Sequence, residues 1–128
     1  MIELSLSSLP HTWIIDIDGT ILKHNGHKEL GDQLLAGVKE FWQRIPVGDT
    51  IILMSARDEL YAEVTLRFLR SNNLRFDQVI FGLPKGERVL INDIKPSGLE
   101  TAYAINVTRD RGLDGFVIKF DELLNLPE

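Results

Sequence analysis

The sequence predicts an α/β domain on a mostly parallel sheet, and three observations carry that expectation. Short apolar runs with β-branched content recur along the chain, stretches with apolar residues at three- and four-residue steps lie between them, and turn residues separate the two kinds. Parallel strands need crossover connections, which the intervening helices supply, so the alternation specifies a three-layer arrangement around a central sheet. With 128 residues, 44% of them hydrophobic, the chain is long enough for one core in a single domain over 1–128.

Five runs read as strands: Trp13 to Ile17, Ile51 to Met54, Val79 to Phe81, Val89 to Ile91 and Phe116 to Phe120. Leu34, Leu35, Val38, Phe41, Trp42 and Ile45 fall on one helix face, and Pro46 and Gly48 stop that helix. Leu60, Tyr61, Val64, Phe68 and Leu69 mark a second helix, with Asp58 as its N-cap and Ser71-Asn72-Asn73 as its end. Ser97 and Glu100 form a capping box before Leu99, Ala102, Tyr103 and Val107, a third helix that ends near Gly112. Between the first strand and first helix, Ile21 to Glu29 centres on Asn25-Gly26, the preferred pair for a two-residue type I′ hairpin. That hairpin would project at the carboxyl end of the first strand. Ile118 to Phe120, Leu123, Leu124 and Leu126 offer apolar surface for a subunit contact.

Composition narrows the function. Fourteen Lys+Arg against nineteen Asp+Glu give a net charge of −5 with no basic cluster, which argues against a nucleic-acid partner. The chain has no cysteine, so disulfide scaffolds and thiolate metal sites are excluded, and a reducing compartment is expected. Met1 to Pro10 carries Glu3 and lacks a basic segment before an apolar run, so a signal peptide is not expected. No stretch is long enough for a membrane span. A cytoplasmic protein with no membrane partner is the expectation.

Ligands of open α/β sheets bind beyond the carboxyl ends of the strands. The first strand runs into Asp16-Ile17-Asp18-Gly19-Thr20, the second into Ser55-Ala56-Arg57, the third into a loop with Lys85, and the fourth into Asn92-Asp93. Three carboxylates, a hydroxyl and an ammonium on one edge suit phosphoryl transfer. Carboxylates hold a hard cation such as Mg²⁺, and the ion, ammonium and hydroxyl neutralise charge on phosphoryl oxygens. One aspartate can attack phosphorus, and a second two residues along can protonate the leaving alcohol and then deprotonate water.

Asp16-Ile17-Asp18-Gly19-Thr20 resembles the DxDGT signature of the haloacid dehalogenase (HAD) superfamily, with further motifs following in order from Trp13 to Asp93. The resemblance implies a three-layer Rossmann-like HAD fold with a flap at the Asn25-Gly26 hairpin. It makes Asp16 the nucleophile and Asp18 the general acid/base. Ser55 becomes the phosphoryl-binding hydroxyl and Lys85 the cation that stabilises the phosphorylated intermediate. Asp93 becomes a Mg²⁺ ligand together with Asp16 and the main-chain carbonyl of Asp18. The spans from Thr20 to Ile51 and from Ser55 to Lys85 are filled by the hairpin, the helices and the third strand, so the resemblance is to a capless member. Asn92 stands where a second acid is frequent, which would either weaken Mg²⁺ binding or orient a metal-bound water.

Among capless members the resemblance implies either a macromolecular substrate or an oligomer whose neighbouring subunit covers the site; a small phosphorylated metabolite such as a sugar phosphate is the favoured substrate. Two alternatives stay open: a receiver-like or non-catalytic domain that binds a phosphorylated ligand, and a phosphatase of a macromolecule. Arg57 reads equally as a substrate contact and as a helix-start residue paired with Asp58 or Glu59. His24 and His27 flank the hairpin turn and read as solvated side chains near the mouth, with substrate contact as the alternative.

Overall fold

The computed structural model describes residues 1–125, and its architecture is mixed α/β with two small parallel sheets. The larger sheet contains β2 (Thr12–Asp16), β3 (Thr50–Met54) and β4 (Gln78–Ile80), with β3 in the middle. Helix α1 (Val38–Arg44) crosses from β2 to β3, and α2 (Ala62–Ser71) crosses from β3 to β4 after a 3-10 turn at Glu59–Tyr61. The smaller sheet pairs β1 (Ile2–Ser7) with β5 (Phe116–Asp121), Ile2 opposite Phe116 and Ser7 opposite Asp121. The alternation Ile2, Leu4, Leu6 against Glu3, Ser5, Ser7 is the period-two signal of a half-buried strand. β1 therefore lacks the continuous apolar run that marks the other strands.

One core joins the two sheets. Ile15, Ile51 and Leu53 of the larger sheet pack with Val38, Phe41, Trp42, Leu69, Leu74, Leu113 and Phe116. Phe41 links them directly, meeting Trp13 edge-on at 5.8 Å and Phe116 in a T-shaped contact at 5.1 Å. Gly112, at φ 82, lies so close to Ala36 that any side chain would collide with its backbone. This close approach lets Leu113 N–H bond the Ala36 carbonyl at 2.8 Å and seats the chain before β5 against α1.

The sheet is not the single five-stranded one expected. Val89 to Ile91 forms no strand: these three residues acquire no ladder partner and are exposed, and β5 pairs with β1 instead. The third helix is also absent. At Pro96-Ser97-Gly98 the chain makes a tight turn, with Gly98 at φ 92, Gly98 N–H to Lys95 C=O at 2.8 Å and Lys95 N–H to Leu99 C=O at 3.0 Å. Turn chemistry there wins over the capping box. Without that helix, the outer face of the larger sheet stays open, and Ile14 and Ile80 are 46% and 47% exposed.

The two-residue hairpin expected over Ile21 to Glu29 does not form, and a wider excursion replaces it. Its arms pair through Lys23 N–H to Gln33 C=O (2.9 Å) and Leu35 N–H to Ile21 C=O (3.0 Å). Asn25 takes the left-handed conformation at φ 58, but a 3-10 turn at Gly26–Lys28 follows, so a wide loop replaces the two-residue turn. Among the described residues no helix is long and apolar enough to cross a membrane. Leu123 is exposed, whereas Leu126 lies outside the described residues.

Candidate functional site

β2 and β3 end side by side, with Asp16 opposite Met54. The pairing continues just past the strands through Ile17 N–H to Met54 C=O (3.1 Å) and Ser55 N–H to Ile80 C=O (2.9 Å). The chain then turns at Gly19, whose φ is 79 and whose N–H donates to Leu22 C=O at 2.7 Å. Ile17, Ile21 and Leu22 are fully buried and anchor this turn, which leaves Asp16, Asp18 and Thr20 at the carboxyl edge.

Both oxygens of Asp16 have partners. The Thr20 hydroxyl donates to Oδ2 at 3.1 Å, and Arg88 Nη1 donates to Oδ1 at 3.1 Å. Burial pushes the Asp16 carboxyl above its ordinary pKa; the Arg88 charge and the bonds from Thr20 and Arg88 pull it down without cancelling the rise, and the Asp18 charge adds to it.

Asp18 is gripped as well. Ser55 Oγ donates to Oδ2 at 2.9 Å, and Arg57 Nε donates to Oδ1 at 2.9 Å. Ser55 Oγ in turn accepts the Arg57 backbone N–H at 2.9 Å, so a single short segment after β3 supplies both grips. The Arg57 side chain is only 1% exposed. Its Nη2 and Nη1 make a forked pair with Asp32 at 2.7 and 3.1 Å, and Nη1 also reaches Thr65 Oγ1 at 2.8 Å. Burial pulls its pKa down, but the Asp32 bonds and the Asp18 charge outweigh that and keep the guanidinium charged. Arg57 is therefore an internal strut, and neither Asp58 nor Glu59 is its partner.

His27 is buried too, its side chain 4% exposed, with the ring edge-on to Tyr61 at 4.5 Å. Among the described residues neither ring nitrogen has a hydrogen-bond partner, and Nδ1 stops 3.9 Å from Asp18 Oδ1. Burial, then the Arg57 charge, lower its pKa; Asp18 and Asp32 oppose them, and Lys28 adds a little to the fall. The expectation of solvated histidines fails here, because the wide loop folds back onto the site. His24 is half-buried, and its backbone N–H donates to Asp110 at 2.8 Å.

The structure thus brings together Asp16, Asp18, Ser55 and Arg57. Lys85 and Asp93 lie on the exposed stretch after β4, and their side chains make no hydrogen bond or ion pair among the described residues. Sequence reasoning missed Asp32, Thr65 and Arg88. Thr65 had a signal: it occupies the buried stripe of α2 between Tyr61 and Leu69, where a polar residue needs a partner. Arg88 is a second cation in the Lys85 loop, and Asp32 has no pattern around it. Comparisons with protein-family models, curated proteins and solved structures give no match to this chain.

Proposed function

We propose that the chain is a phosphomonoester hydrolase of HAD type, working through an aspartyl-phosphate on Asp16. The observation that carries the reading is the pair of carboxylates at the carboxyl edge of parallel strands, with Ser55 and Arg57 orienting Asp18 and Arg88 facing Asp16. Two acids held at different points by different donors suit two tasks. Asp16 attacks phosphorus and displaces the alcohol; Asp18 gives the leaving oxygen a proton, then takes one from the water that releases phosphate. Arg88 can form forked hydrogen bonds to phosphoryl oxygens.

The finer features of the reading come from the resemblance: a Rossmann-like HAD sheet without a cap, Lys85 on the phosphoryl group, and a small phosphorylated substrate such as a sugar phosphate. Mg²⁺ belongs with them, with Asp16, the Asp18 carbonyl and Asp93 as its ligands. The arrangement on hand does not fit that donor set. Asp93 is exposed, and among the described residues no three His, Asp or Glu side chains gather as a metal group. The steps above accordingly run through the chain's own residues.

A second reading has an observation of its own. Lys85 and Asp93 stand outside the cluster, which favours a domain that binds a phosphorylated ligand without turning it over. Phosphate release from a panel of sugar phosphates, nucleotides and an aryl phosphate, with Mg²⁺ and with chelator, separates the two. Release from any of them supports the hydrolase; silence with retained phosphate-ester binding supports the binder.

A further inference from the structure

We propose that Asp32 is a positioning residue for Asp18, acting through Arg57. The inference rests on the hydrolase reading and adds a part to it. Asp32 sits on the hairpin excursion, Arg57 just after β3, and Asp18 just after β2, so one guanidinium ties three segments together.

Asp32 anchors the Arg57 guanidinium. A guanidinium carries five N–H donors in one rigid plane, so a carboxylate forked on its Nη1–Nη2 end fixes the direction in which its Nε–H points. Here Asp32, 3% exposed, takes the Nη1 and Nη2 pair, and Asp18 receives the Nε–H. Thr65 holds Nη1 from α2, and its own hydroxyl donates to the Tyr61 carbonyl at 2.7 Å. Asp18 therefore keeps one oxygen on Arg57 and the other on Ser55, with its carboxyl plane fixed by two donors from different directions. Without the Asp32 charge the Nη1–Nη2 end loses its anchor, and the guanidinium is free to pivot, take both Asp18 oxygens and displace the Ser55 hydroxyl. Asp18 would then be bound as a salt-bridge partner and lose the orientation that proton transfer requires.

The test follows the Asp18 side-chain carboxylate carbon by ¹³C NMR, assigned by its loss in Asp18→Asn, beside steady-state phosphate release from an aryl phosphate. Asp32→Asn is expected to shift the Asp18 signal and to lower kcat by up to about 100-fold while KM changes by less than about 3-fold. Arg57→Lys covers the case in which Asp32→Asn fails to fold, because it keeps the charge between the two carboxylates but has no fork. It is expected to move the same signal and the same rate. A folded Asp32→Asn with both the Asp18 signal and kcat at wild-type values overturns the proposal, as does an Arg57→Lys protein with both unchanged. If the wild-type protein hydrolyses no substrate, the hydrolase reading fails by that result, and the Asp18 signal alone decides the positioning role.

Discussion

At the amino edge of the three-stranded sheet, Asp49 accepts the Trp13 Nε1–H at 2.9 Å, the His11 backbone N–H at 3.0 Å and His11 Nδ1 at 2.8 Å. His11 Nε2 meets the Ser7 carbonyl at 2.8 Å, and Arg75 caps the Asp49 carbonyl at 3.1 Å. Both rings of this cluster have all their nitrogens partnered. At the carboxyl edge of the same sheet, Asp16, Asp18, Asp32, Arg57 and Arg88 form a denser set of charges, and His27 beside them has two buried nitrogens with no partner among the described residues. A buried polar group without a partner costs stability, so the two edges differ in purpose. The amino edge closes its polar groups onto one another and stabilises the start of the strands. The carboxyl edge leaves hydrogen-bonding capacity unspent where an α/β sheet binds its ligands.

The largest effect on stability is expected at the closed edge. Asp49→Ala leaves the Trp13 and His11 donors without their acceptor and should lower unfolding stability by about 3 kcal/mol, read by urea denaturation. A loss below about 1 kcal/mol would remove the distinction between the edges. The same carboxylate sets a pH dependence. Burial raises the Asp49 pKa, but the bonds from Trp13, the His11 backbone and the His11 ring, with the ring's charge, outweigh it and hold the group below its ordinary value of 3.8. A depressed folded-state value means the unfolded chain binds the proton more readily, so this stabilisation is present above pH about 4 and drains away as pH falls below it. Asp49→Asn should therefore flatten the acid limb of the stability profile; an unchanged limb would assign acid sensitivity to other groups.

The open edge should respond in the opposite direction. His27→Phe keeps a ring against Tyr61 and removes two unpartnered nitrogens, so it should raise stability by about 1 kcal/mol in the same denaturation experiment. Destabilisation would mean that His27 is satisfied in solution by a partner such as water. Between the edges, on β2 itself, Ile14 is 46% exposed, and Ile14→Thr should change stability by less than about 0.5 kcal/mol. A larger loss would indicate that the outer face of the sheet is covered.

Much of the carboxyl edge was legible in the sequence because it depends on local rules. Apolar runs ending in Asp16, Asp18 and Ser55 announce strand ends, and parallel pairing places those ends together. What was not legible depends on distant partners. Whether Val89 to Ile91 becomes a strand is decided by access to a ladder, and β1 with its quiet alternation took β5 instead. The Pro96-Ser97-Gly98 turn and the capping box compete over the same residues, and only the fold chooses between them. Arg57 looked ambiguous because its partner Asp32 is neither adjacent nor at a helical spacing. The two histidines looked solvated because a wide loop and a tight hairpin read alike around Asn25-Gly26.

Under the hydrolase proposal, Asp16 is the nucleophile of the carboxyl edge. Its most direct test is rapid-quench mass spectrometry of the peptide carrying Asp16 after mixing with an aryl phosphate, in the wild-type protein, in Asp18→Asn and in Asp16→Asn. The proposed mechanism predicts a phosphoryl group on that peptide in the wild type, more of it in Asp18→Asn, where its hydrolysis is slowed, and neither adduct nor phosphate release in Asp16→Asn. Phosphate release at the wild-type rate from a folded Asp16→Asn protein would contradict it.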